Sequence, residues 1–177
     1  MTPSVLVTGA AAGIGRAIAT RLAADGLEVV TLDRVAPPSQ LPREIFIEVD
    51  LADEAATAHA LDEACRGRAL TRLVNNVGTV RPGTVEEATS ADLAAVVALN
   101  LRCAMQCTQA VLPAMKAARF GRIVNISSRA ALGKEPRTVY AATKAGLHGM
   151  AKTWALELGQ HGITVNAVGP GWIQTGS

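Results

Sequence analysis

An α/β fold, a doubly wound parallel sheet in a single domain, is predicted by three features of the sequence. Strand-length apolar runs alternate with stretches of helical periodicity along the whole chain. The strand-length runs are rich in Val and Ile, as expected for a sheet covered on both faces. A glycine-rich turn follows the first of these runs and opens the first helical stretch, which suits a strand–turn–helix unit.

The elements follow in order. Ser4–Thr8 reads as a strand, 14–25 as a helix, and Glu28–Asp33 as a second strand. A loop containing Pro37, Pro38 and Pro42 leads to a third strand over 44–50. The helix 54–66 has Asp53 placed to cap its first turn. A strand over 71–75 precedes a long helix over 90–119, in which Pro113 is expected to kink or loosen the last turns. A strand over 122–127, a helix over 138–159 and a final strand Ile163–Val168 complete the pattern. Repeats, low-complexity segments and a second domain are not evident, so the prediction is one domain over 1–177.

The turn reads Thr8-Gly9-Ala10-Ala11-Ala12-Gly13-Ile14-Gly15. Glycines at 9, 13 and 15 permit a tight turn and bring backbone N–H groups to a pyrophosphate at a positive helix N-terminus, with Ala12 and Ile14 between them. Asp33 ends the next strand, about 20 residues on, where a carboxylate accepts hydrogen bonds from adenosine ribose hydroxyls. Its charge should repel a 2′-phosphate and favour NAD(H) over NADP(H), whereas the adjacent Arg34 would attract that phosphate. Asp50, with Leu51 beside it, is placed either against the adenine edge or as a cap for the following helix.

Tyr140 and Lys144 are one helical turn apart and so share a face. A cation there favours phenolate over phenol, turning a side chain of pKa ~10 into a proton donor and acceptor near neutrality. Tyr140 is the only tyrosine. His148, one turn beyond Lys144, and His161, at a helix end, are read as bystanders.

Bulk composition excludes several classes. The chain has 177 residues, 49% of them hydrophobic, with a mean hydropathy of +0.24. No apolar run reaches the ~18 residues expected of a membrane span, and the N-terminus lacks the basic segment of a signal peptide. A net charge of +2 without a basic run, and 3% aromatic residues, indicate no nucleic-acid surface. The three cysteines, Cys65, Cys103 and Cys107, read as reduced packing residues of a cytoplasmic protein, with no metal site. The helices 90–119 and 138–159 carry few charges, and the second holds Gly146 and Gly149 in its middle, which costs ~1 kcal/mol each relative to Ala. An outer face so poor in charge predicts burial between copies, as a homodimer or homotetramer.

Taken together, the motifs resemble the short-chain dehydrogenases/reductases over essentially the whole chain. They occur in the family's order: the Gly9/Gly13/Gly15 turn, Asn75-Asn76-Val77-Gly78, Asn100, the Ile126-Ser127-Ser128 strand end, Tyr140 with Lys144, and Gly169-Pro170-Gly171. The combination is similar to the subgroup of 3-oxoacyl-carrier-protein reductases and many sugar and alcohol dehydrogenases. The resemblance implies a Rossmann-like fold and NAD(P)-dependent interconversion of a carbonyl and a secondary alcohol, on a small-molecule substrate and without metal. It implies Tyr140 as general acid and base. Lys144 would tune it and, with Tyr140, hold the nicotinamide ribose. Asn100 would hold a water that links Lys144 to solvent, and a serine would hold the substrate oxygen. It also implies that Asn76, Val77 and Gly78 pass beneath the adenosine ribose, and that Pro170, Gly171, Ile173 and Thr175 lie beside the nicotinamide.

Two serines compete for the last catalytic role. Counting back from Tyr140 by the family's usual spacing reaches Ser127, while aligning forward from Asn100 without a gap reaches Ser128. Adjacent strand residues point to opposite sides, so only one faces the nicotinamide, and Ser128 is the expected one. Members of the subgroup usually run longer. The sheet is therefore expected to lack the usual C-terminal strand and lid, leaving Ile163–Val168 as an exposed edge and the pocket open. A nucleotide-binding module without turnover, or an inactive truncated relative, is the alternative reading.

Overall fold

The computed structural model describes residues 3–173. Six parallel strands form one sheet in the order β3-β2-β1-β4-β5-β6. They are β1 (Ser4–Thr8), β2 (Glu28–Asp33), β3 (Glu44–Glu48), β4 (Leu70–Asn75), β5 (Gly121–Ile126) and β6 (Ile163–Val168). The strand order reverses between β1 and β4, and the crevice beyond the carboxyl ends of strands at such a point is where ligands bind in sheets of this kind. Each crossover carries a helix or a loop: α1 (Gly13–Ala24), α2 (Glu54–Cys65), α3 (Ser90–Val97), α4 (Cys103–Ala118) and α5 (Thr138–Leu158).

The strands are apolar on both sides because each side is buried. Leu6, Val30, Leu32, Leu73, Ile123 and Val165 belong to the larger core beneath α2, α4 and α5. Their alternates Val5, Val7, Val29, Val74 and Ile126 pack with Ala19 of α1 in a second, smaller core. Burying a Leu, Ile or Val side chain stabilises by ~1.5–3 kcal/mol, so this alternation fixes the register of the sheet. Among the described residues β6 pairs only with β5.

Local chemistry sets the helix ends. Asp53 caps α2 by accepting from the Ala56 N–H at 2.9 Å, as its position predicted. Thr89 and Asp92 form a reciprocal capping box at α3. By contrast, Ala12, the residue just before α1, offers no side-chain cap, so the N–H groups there remain available to a ligand. The helix α5 also lacks a side-chain cap, and the Gly83 carbonyl from the loop after β4 accepts from the Thr138 N–H at 3.3 Å.

One strand and one helix differ from the sequence expectations. The third strand ends at Glu48 rather than at 50, because Asp50 turns the chain by accepting from the Ala52 N–H at 2.9 Å. The helix α4 continues through Pro113 to Ala118. The departure from α geometry lies at Ala98–Arg102, a wide π turn around Asn100. By length and composition Ser90–Ala118 is apolar enough to cross a membrane, yet its α4 portion packs on β4 and β5 and its α3 portion on α5.

Candidate active site

The switch point holds a cavity of about 500 Å³ between the glycine turn, the ends of β2 and β3, and the loop after β4. Gly9, Ala12, Asp33, Arg34, Asp50, Leu51, Asn76, Val77 and Gly78 line it, all of them predicted from the sequence. Ala11, Thr79, Arg81 and Leu99 line it too and were missed. Gly9 has φ +67 and Gly13 φ +56, a region that favours glycine. A Cβ at Gly15 would lie 2.0 Å from the Gly9 oxygen and 2.4 Å from Asn76 Nδ2. Gly15 does not line the cavity, so its task is to let α1 pack closely behind the turn.

Side chains from neighbouring strands lock this cradle. Asn76 Nδ2 donates to the carbonyl oxygens of Thr8 and Gly9 at 3.0 and 2.9 Å. The buried Thr8 hydroxyl accepts from the N–H groups of Asn76 and Val77 at 3.0 and 3.1 Å. A hydroxyl just before the glycine turn was the signal in the sequence for this contact. Asp33 accepts from the N–H groups of Ala11 at 2.9 Å and Arg34 at 2.7 Å, which orients its carboxylate. Asp50 lines the cavity, and the cap of α2 falls to Asp53, which settles the two readings of Asp50 against the cap. The cradle left by the glycines, the uncapped N-terminus of α1 and the oriented Asp33 suit a dinucleotide.

A second cavity of about 190 Å³ adjoins the first, sharing Asn76 and Gly78 with it. Tyr140, Lys144, Ser127, Ser128, Pro170 and Gly171 line it, with Ile14 at the cofactor side. Tyr140 and Lys144 come from successive turns of α5, with the Lys144 nitrogen 5.7 Å from the centre of the Tyr140 ring. That nitrogen is buried and donates to the Ile126 carbonyl at 2.7 Å. Burial lowers the Lys144 pKa from 10.5 to about 8.

The two serines part company here. Ser127 is buried and donates its hydroxyl to the Lys144 carbonyl at 2.7 Å. Ser128 is half-buried, and its oxygen accepts from the Ala130 N–H at 3.1 Å, which leaves its hydrogen for another partner. The Asn100 side chain bridges two elements: its amide donates to the Thr79 carbonyl at 3.1 Å and to the Thr143 hydroxyl at 3.0 Å, and its oxygen accepts from the Thr79 N–H at 2.8 Å. A Cβ at Gly78 would lie 3.2 Å from that oxygen and 3.3 Å from the Lys144 nitrogen, so both groups border the space in front of Gly78.

Four predicted residues, Gly13, Gly15, Asn100 and Ile173, line neither of these cavities. Ile173 lines a separate apolar groove along α1, beside Ala12 and Gly13. Thr175 lies outside the described residues. The Arg16–Glu44 pair, at 2.6 Å, was also missed; it clamps α1 to the start of β3, below the loop that carries Arg34. Cys103 and Cys107 are buried free thiols with their sulfurs 3.9 Å apart, and the contact with Cys103, together with burial, pushes the Cys107 thiol up.

Comparison with known proteins gives a consistent result. The family model for short chain dehydrogenase matches residues 3–177. The (2S)-[(R)-hydroxy(phenyl)methyl]succinyl-CoA dehydrogenase subunit BbsD of Thauera aromatica is 38% identical over 181 residues, covering 96% of this chain and 73% of that protein. The 3-oxoacyl-[acyl-carrier-protein] reductase FabG of Thermotoga maritima is 37% identical over 182 residues, covering 96% and 74%. The solved structure of ElxO with NADP bound superposes with a TM-score of 0.90 at 30% identity, over 99% of this chain and 76% of that one.

Proposed function

The chain belongs to the short-chain dehydrogenase/reductase family and is an NAD(P)-dependent oxidoreductase of the 3-oxoacyl-carrier-protein reductase-like subgroup, and we propose that it interconverts a carbonyl and a secondary alcohol at the cavity of Tyr140, Lys144 and Ser128. The observation that carries this reading is that the two cavities adjoin, both being lined by Asn76 and Gly78. A dinucleotide held by the turn and Asp33 would have its far end beside the tyrosine.

When bound, the nicotinamide supplies hydride for reduction and accepts it in oxidation. The protein's residues handle the oxygen and its proton. Ser128 donates a hydrogen bond to the substrate oxygen and fixes its orientation. The Tyr140 hydroxyl gives its proton to that oxygen in reduction, and the phenolate recovers it from the alcohol in oxidation. Lys144, desolvated and held by the Ile126 carbonyl, favours the phenolate when charged. Asn100 positions α5 through Thr143, and a water linking Lys144 to solvent would fit the space bordered by Asn100, Gly78 and Lys144. Pro170 and Gly171, which line the same cavity as Lys144, would flank the nicotinamide.

The preferred cofactor in this reading is NAD(H) over NADP(H). Asp33 is oriented by two backbone N–H groups; it would accept from the adenosine ribose hydroxyls, and its charge would oppose a 2′-phosphate. Copies of the chain associate as a homodimer or homotetramer through the helices 90–119 and 138–159. Leu156, which is 86% exposed, and the exposed Ala142, Ala145 and Gly149 support that reading on α5. The free cysteines support a cytoplasmic location.

The test follows nicotinamide absorbance over a panel of ketones and alcohols. One relative is named for an acyl-CoA and another for an acyl-carrier-protein substrate, so acyl thioesters belong in the panel. Turnover of at least one carbonyl compound is expected. Cofactor binding without turnover of any would favour a binding module instead.

A further inference from the structure

We infer that the small cavity beyond Ser128 is a subsite for an anionic group of the substrate, so that the chain acts on a keto or hydroxy acid, or its phosphorylated counterpart, in preference to a neutral ketone. The inference rests on the reading of the Tyr140 cavity as the place of carbonyl chemistry.

The cavity, of about 150 Å³, shares Ser128, Pro170 and Gly171 with the Tyr140 cavity. It therefore begins where the substrate oxygen is held. Its remaining walls are Arg129, Lys134 and Trp172, with small residues between them. Among the described residues no acidic side chain lines it. Among the described residues five other arginines have carboxylate partners, while Arg129 and Lys134 have none.

The backbone explains why two cations meet here. Ser128 caps a short 3₁₀ turn, Arg129–Leu132, and Gly133 follows at φ +105. Arg129 before that glycine and Lys134 just after it, both exposed, line the same cavity. The Arg129 N–H donates to the Pro170 carbonyl at 3.0 Å, so the turn is fastened to the segment that carries Trp172. Like charges brought together without a partner oppose one another, and an anion between them removes the conflict. The volume is roughly that of five water molecules, which suits a carboxylate or phosphate group and not a long acyl carrier. Trp172 is 89% exposed and offers a ring face for the adjoining carbon chain.

The test compares matched ligands. Binding of acetoacetate, methyl acetoacetate, dihydroxyacetone phosphate and dihydroxyacetone is followed by protein fluorescence with cofactor present. The protein has two tryptophans, and Trp172→Phe identifies the signal from this one. The acid or the phosphate is expected to bind about tenfold or more tightly than its neutral partner, as expected for a charge-assisted contact. An Arg129→Gln/Lys134→Gln variant should abolish that preference, with the neutral compounds as internal controls. The stronger of the two anions identifies the source, carboxylate or phosphate. Equal affinity for charged and neutral partners, no saturable binding of either anion, or an unchanged preference in the double variant would each overturn the inference. Selective anion binding without turnover leaves the subsite standing and counts against the carbonyl chemistry alone.

Discussion

The Ser127 hydroxyl donates to the backbone carbonyl of Lys144 at 2.7 Å and fastens the end of β5 to the middle of α5. Its neighbour Ser128 keeps its hydrogen for the cavity. Ser127→Ala should therefore lower stability by about 1 kcal/mol and leave turnover within a few fold. Ser128→Ala should lower kcat by roughly 10²-fold or more, as loss of an oriented donor does elsewhere. Steady-state rates of the two variants check this. Loss of turnover in Ser127→Ala alone would reverse the assignment.

Lys144 carries a stability cost that depends on pH. Its pKa falls from 10.5 to about 8 on folding, through burial. Between those values the unfolded chain binds more protons than the folded one, so this group makes stability rise with pH across the window. Below about pH 8 the whole cost is present, on the order of 1–3 kcal/mol once the bond to Ile126 is set against it. Lys144→Met should thus melt at a higher temperature than wild type at pH 7 while losing activity. Its advantage should shrink from pH 8 to 10.5. Thermal melts at several pH values check this, and a variant less stable at pH 7 would contradict it.

Glu44 behaves in the opposite sense. Burial raises its pKa, but bonds from Arg16, the Leu41 N–H and Thr31 together outweigh that and bring it below 4.5. The stabilisation is present above pH 4.5 and is lost as pH falls through the folded value. Glu44→Gln leaves Arg16 without its partner and should cost about 3 kcal/mol at pH 7. The difference from wild type should narrow in acid. Denaturant unfolding at pH 7 and below 4.5 measures both.

Asp33 is the proposed determinant of cofactor choice. Asp33→Ser removes the charge that opposes a 2′-phosphate and leaves Arg34 nearby. The ratio of kcat/KM for NAD to that for NADP should fall about tenfold or more. An unchanged ratio would move the choice elsewhere in the cavity.

Most of the fold and much of the site were legible because they rest on local signals. The β1 and β6 boundaries followed from apolar runs between turn residues, and Asp53 announced itself as a cap. Gly9 and Gly13 were readable because their backbone demands glycine. Contacts set by tertiary packing were not. Nothing local to Asn100 reveals a π turn or its bonds to Thr79 and Thr143, which lie far along the chain. Likewise, the Arg16–Glu44 clamp joins a helix and a strand that look ordinary in isolation. The cationic cavity is also a product of tertiary packing: Arg129 and Lys134 lie on either side of the turn at Gly133 and line it together with Trp172 from a distant segment.

The central claim is that Tyr140 moves the proton. The most direct measurement is kcat of Tyr140→Phe with the best carbonyl substrate of the panel, alongside cofactor affinity. Removing one oxygen from a half-buried ring should leave folding and cofactor binding nearly intact. It should also lower kcat by roughly 10²–10⁴-fold, the range expected for loss of a general acid. A Tyr140→Phe protein that turns over at the wild-type rate would contradict the account.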